Sequence, residues 1–173
     1  MGHITPITIR LKDSVKKLYS SEFGLKWDDG IPAQVWSAWE ELIKMLVTSE
    51  TLEFPRWVYI ENEDDCFYIV AFWDGSDAAY SAVVYIIKHN DNDMNQVKLL
   101  TSKSKVAPDW EVNTVRMEMN GAVLCTRITL RAIRALHVKP KKVWFLGDSE
   151  TVLASREKPV SYTHLTLPTK RIV

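Results

Sequence analysis

Three carboxylates stand out by where they fall in the chain. Asp74 closes an otherwise apolar run, YIVAFW at 68–73. An ionised side chain there carries a desolvation cost unless a cation or a hydrogen-bond donor meets it. Asp148 closes a second such run, KVWFLG at 142–147. Glu118 belongs to a segment of helical spacing, where Glu118, Gly121, Ala122, Cys125, Thr129 and Ala132 share one face and Glu118 is its single charge. Each acid has an ordinary reading by itself. Asp74 suits a turn in which it bonds its own backbone. Glu118 suits a first helical turn, favoured by the dipole and paired with Arg116 or Arg127. Taken together they suggest more. In open α/β sheets ligands gather outside the carboxyl ends of strands; Asp74 and Asp148 occupy two such ends, and Glu118 faces the sheet between them. Three converging carboxylates repel one another without a cation, and Mg²⁺ or Mn²⁺ with all-oxygen ligands is the natural partner.

The elements that must position these acids can be read in order. Residues 68–87 form two β-rich runs joined by Asp74, Gly75, Ser76 and Asp77, which reads as a hairpin. A polar loop at 89–95 leads to a third run at 97–103, completing a three-stranded antiparallel meander. After a loop at Pro108 and Asp109, the spacing predicts a helix over 114–136. The run at 142–148 is continuously apolar, which predicts a strand covered on both faces, with Ser149 and Glu150 opening a further helix. Ahead of the meander, Leu11, Val15 and Leu18 predict a helix that Gly24 stops. Pro32 suits the first turn of a second helix with an apolar stripe of Val35, Trp39, Leu42, Ile43 and Leu46. This helical lead-in is expected to dock on the rest. The fold class is α/β.

Composition sets the outer limits. A chain of 173 residues with 46% hydrophobic content can build one sizeable core. Its formal net charge is zero, so any basic surface must be local. Cys66 and Cys125 have no CxxC spacing, which argues against a disulfide framework or a zinc site and fits a reducing, intracellular setting. No apolar run reaches the length of a membrane span. No signal peptide is visible, and Pro6 stands where a myristoylation signal wants Ser or Thr. The seven tryptophans are scattered rather than repeated.

The order strand–strand–strand–helix–strand with acids at 74, 118 and 148 resembles the ribonuclease H fold. FWDGSDAAYSAVVY at 72–85, LLTSKSKVAP at 99–108, VRMEMNGAVLCTRI at 115–128 and VWFLGDSETVL at 143–153 resemble the ribonuclease H segment of BEL/Pao-type retrotransposon polyproteins. GHITPITIRLK at 2–12, WDDGIP at 27–32 and FPRWV at 54–58 are similar to the connection that follows the reverse transcriptase there. The resemblance implies that Asp74, Glu118 and Asp148 are catalytic metal ligands. With a fourth acid, they would hold two Mg²⁺ ions that cleave the RNA strand of an RNA–DNA hybrid. Lys103, Lys105 and Arg116 become candidate phosphate contacts, or equally solvated surface charges. The order D–E–D matches ribonuclease H, whereas the related integrase order is D–D–E. Asp74-Gly75-Ser76 reverses the small residues of the aspartic protease motif. The implied partners are the hybrid and the reverse transcriptase portion of the same polyprotein, in a cytoplasmic retrotransposon particle.

The chain also departs from that pattern. The α/β alternation stops after Glu157 and Lys158, ahead of where the family's fourth acid lies. Residues 160–169 resemble the translation of an adaptor used in transposase-based sequencing libraries. The expected organisation is a helical connection at 1–60, a partial ribonuclease H-like domain at 61–159 and a non-native tail at 160–173. On that reading one metal site is incomplete and the chain itself is expected to be marginally stable. The alternative is a non-catalytic module of the same fold, a scaffold or nucleic-acid cradle beside a reverse transcriptase.

Overall fold

The computed structural model describes residues 2–58, 60, 66–88, 96–108 and 113–148. Seven elements follow in order: α1 Thr5–Tyr19, α2 Ala33–Ser49, β1 Phe67–Gly75, β2 Ala79–Lys88, β3 Gln96–Val106, α3 Thr114–Leu136 and β4 Lys142–Leu146. The expected loop at 89–95, Asp109, the helix opening at Ser149 and Glu150, and the tail at 160–173 lie outside the described residues.

The sheet runs β3-β2-β1-β4. β1 and β2 pair antiparallel from Phe67↔Lys88 to Gly75↔Tyr80. Their turn is closed by Ser76, whose N–H donates to the Ala79 carbonyl at 2.8 Å. β3 continues the meander, with a register shift at Val84/Tyr85 that leaves Leu100 as the extra residue. β4 returns to pair parallel with β1, from Tyr68↔Lys142 to Phe72↔Leu146. This is the α/β architecture of a ribonuclease H-like fold.

Strand periodicity builds the core. Phe67, Ile69 and Ala71 of β1 and Ala82, Val84 and Ile86 of β2 point to one face, where Leu124, Cys125 and Ile128 of α3 meet them. Asn113 caps α3 by accepting the Val115 N–H at 3.0 Å. His137, in the left-handed conformation at φ 57°, ends it. On the opposite face α1 lies over β3, where Ser102 Oγ bonds the Gly2 carbonyl and Thr5 Oγ1, each at 2.7 Å. None of the described helices is long and apolar enough to cross a membrane.

The structure revises three expectations. β4 is an edge strand among the described residues, with Phe145 40% and Leu146 45% exposed, rather than a strand covered on both faces. The cause is the placement of α3, which packs over β1, β2 and β3. The buried face of α3 is also broader than the small-residue set. Gly121, Cys125 and Thr129 are buried, but so are Met117, Leu124 and Ile128, while Glu118, Ala122 and Ala132 sit half-buried at its margin. Finally, α1 begins at Thr5, not Leu11, because Pro6 occupies its first turn, where a missing N–H is harmless.

The two thiols should behave differently. Burial pushes Cys125 up to about 11, whereas Cys66 is exposed. A thiol reagent at neutral pH should modify Cys66 in the native protein and Cys125 only after unfolding, as mass spectrometry would show. Because the folded value is raised, the protonated Cys125 thiol contributes stability in full below about pH 9, and this is lost as pH rises towards 11. Modification of Cys125 at the native rate of Cys66 would contradict its enclosure.

Candidate active site

Asp74 is the penultimate residue of β1 and is exposed. Its Oδ1 accepts the Gly75 N–H at 2.7 Å, the local bond expected of a turn aspartate. Asp148 lies two residues beyond Leu146, just as Asp74 lies two beyond Phe72, and Phe72 pairs with Leu146. Parallel pairing therefore sets both aspartates at the same end of adjacent strands. They share an open hollow of about 420 Å³ with Phe72, Trp73, Leu146 and Gly147.

Glycines allow the close approaches that shape this end of the sheet. A Cβ at Gly75 would fall 2.5 Å from the Glu118 nitrogen, so the first turns of α3 rest directly on the end of β1. A Cβ at Gly121 would lie 3.0 Å from the Asp74 carbonyl oxygen. At Gly147 it would meet the Trp73 ring at 2.3 Å, which shows the indole lying flush on that backbone. Thr114 Oγ1 donates to Asp77, tying the start of α3 to the hairpin turn and giving Asp77 a structural role.

The structure brings the backbones of the three acids to one region. Glu118 is half-buried and Asp74 and Asp148 are exposed. As placed, no group of three acids, histidines or cysteines among the described residues could hold a metal ion. The donor chemistry nonetheless suits a hard divalent cation, since every candidate ligand is a carboxylate.

The three candidate phosphate contacts are all exposed. Lys105 pairs with Tyr80, which also pairs with Gly75, so it reaches the end of the sheet that carries the acids. Arg116 stands in the first turn of α3, on the side of the helix away from Glu118. Lys103, one repeat further along β3, lines a separate hollow with Arg131. Sequence reasoning did not single out Trp73 or Gly147, and it met Gly75 only as a turn residue and Gly121 only as one of the small residues on a helix face. A glycine directly follows Asp74 and directly precedes Asp148, and that adjacency was the available signal.

A family model described as Pao retrotransposon-like RNaseH-like domain matches residues 1–149. No curated protein matches the chain.

Proposed function

The chain belongs to the Pao retrotransposon-like RNaseH-like domain family, and on that premise we propose that it is a metal-dependent ribonuclease H module. It hydrolyses the RNA strand of RNA–DNA hybrids beside the reverse transcriptase portion of the same polyprotein. Asp74, Glu118 and Asp148 are the residues that would hold Mg²⁺ or Mn²⁺. Bound there, the cation supplies a water of lowered pKa and stabilises charge on the scissile phosphate. The chain positions the ligands. β1 and β4 present the two aspartates side by side, α3 holds Glu118 against Gly75, and Trp73 packed on Gly147 forms one wall of the hollow. Lys105 and Arg116 contribute phosphate contacts, and recognition of the 2′-hydroxyl would separate RNA from DNA.

The observation that carries this reading is the parallel register of β1 and β4, which places Asp74 and Asp148 on one hollow. Its test is cleavage of a labelled hybrid with Mg²⁺ or Mn²⁺. The RNA strand should be cut, the DNA strand and an all-DNA duplex left intact, and chelator should stop the reaction. A second reading, a non-catalytic scaffold beside the reverse transcriptase, is favoured by the separation of the three carboxylates among the described residues. Hybrid binding without cleavage in either metal would select it.

A further inference from the structure

Although the chain is neutral overall, its charge is sorted. β3 and α3 together carry seven Lys and Arg residues against one carboxylate, Glu118. Arg116, Arg127, Arg131 and Arg134 fall within about 60° of the circumference of α3 at about 100° per residue. Arg131 and Lys103 line one hollow of about 440 Å³ between β3 and the C-terminal half of α3, with Leu100, Ile128 and Leu136. Lys105 shares the face of Lys103, two residues along the strand. All six cations are exposed. None forms an ion pair with a described residue, in contrast to Lys17, which meets Asp13 at 3.2 Å on α1.

Alternating signs along a helix face mark a solvent-exposed, salt-bridged helix. Here Arg127 and Arg131 stand at i,i+4 and Arg131 and Arg134 at i,i+3, spacings at which like charges destabilise a helix. A polyanion relieves that repulsion. We propose that this flank is a track for the sugar–phosphate backbone of a nucleic acid, starting at the acid-bearing end of the sheet and following α3. From Arg116 to Arg134 it spans about 27 Å at about 1.5 Å per residue. That length matches about eight phosphates of one strand at about 3.4 Å each. The ribonuclease H reading identifies the duplex as an RNA–DNA hybrid; binding itself requires neither the acids nor a metal.

The test is binding of a labelled hybrid in chelator across a salt series, followed by fluorescence anisotropy. Six phosphate contacts predict a slope of log K against log salt of roughly −5, and R127Q/R131Q/R134Q should reduce it to roughly −3, at about 0.9 per contact. K12Q, on the exposed surface of α1, should leave it unchanged. Removing like-charge repulsion keeps α3 folded, which circular dichroism verifies. A triple variant with wild-type slope and affinity overturns the track, as does poly-glutamate competing as well as the hybrid. Loss of binding in the triple variant, with no cleavage by any form in Mg²⁺, keeps the track and removes the nuclease reading. Cleavage by wild type with binding unchanged in the triple variant does the reverse.

Discussion

Asp74→Asn should lower hybrid cleavage by about 10²–10³-fold, the scale seen when one group stabilising transition-state charge is removed, while leaving the fold intact. Asn keeps the shape of Asp and retains an Oδ1 that can accept the Gly75 N–H, the one local bond this side chain makes at 2.7 Å. The position is exposed, so packing does not change. Surface replacements of this kind shift stability by no more than about 0.5 kcal/mol. What disappears is a negative charge beside Asp148. Mg²⁺ should therefore raise the thermal midpoint of the wild type, as any ligand binding only the native state does, and should not raise that of the variant. Two readouts, cleavage and Mg²⁺-dependent stabilisation, should fall together. A variant that cuts and responds to Mg²⁺ like the wild type would remove Asp74 from the metal site.

Gly75→Ala should damage both stability and activity. Its Cβ would be 2.5 Å from the Glu118 nitrogen and the Met117 carbonyl carbon, and 2.7 Å from the Met117 oxygen. These are backbone atoms, so no rotamer change relieves the clash and α3 must move as a body. That helix carries Leu124, Cys125 and Ile128 into the core. Overpacking of this kind costs about 1–3 kcal/mol, and each kcal/mol lowers the midpoint by about 2–4 °C in a chain of this size. The same displacement separates Glu118 from Asp74, and a misplacement of about 1 Å at a catalytic group can cost about 10²-fold in rate. Gly121→Ala gives a graded comparison. Its tightest contact is 3.0 Å, and alanine recovers up to about 1 kcal/mol of helix propensity. Gly30→Ala meets nothing within 4 Å and is the neutral control. If Gly75→Ala melts and cuts like Gly30→Ala, the seam between β1 and α3 does not position Glu118.

Local signals made much of this arrangement readable in advance. Helical spacing alone gave the expected span of 114–136, which coincides with the observed helix, while its caps at Asn113 and His137 were not singled out. The Asp74-Gly75-Ser76-Asp77 join marks the β1–β2 turn. The misreadings arose where a local pattern met a tertiary choice. The bulge at Leu100 shifts the alternation of β3 partway along, which the run at 97–103 does not announce, and Val97 is exposed. The apolar content of β4 reports what could cover it, but only the position of α3 determines what does. Within the site, strand-end placement made Asp74 and Asp148 visible. The Gly121 seam was partly visible as a periodic face of small residues, whereas those at Gly75 and Gly147 were not, because each is a single residue whose close approach depends on a second element.

The crossover that creates the hollow also determines when it can exist during folding. β1, β2 and β3 are sequence neighbours and can pair as successive hairpins, whereas Tyr68 meets Lys142 only after the whole of α3 has been traversed. Contacts so distant along the chain reward the loss of loop entropy late. A chain that has formed its meander thus holds Asp74 without Asp148. The second aspartate arrives with the last strand, so assembly of the acid pair is itself a report of completed topology. On the nuclease reading proposed above, a chain whose last strand has not yet paired with β1 would not cleave.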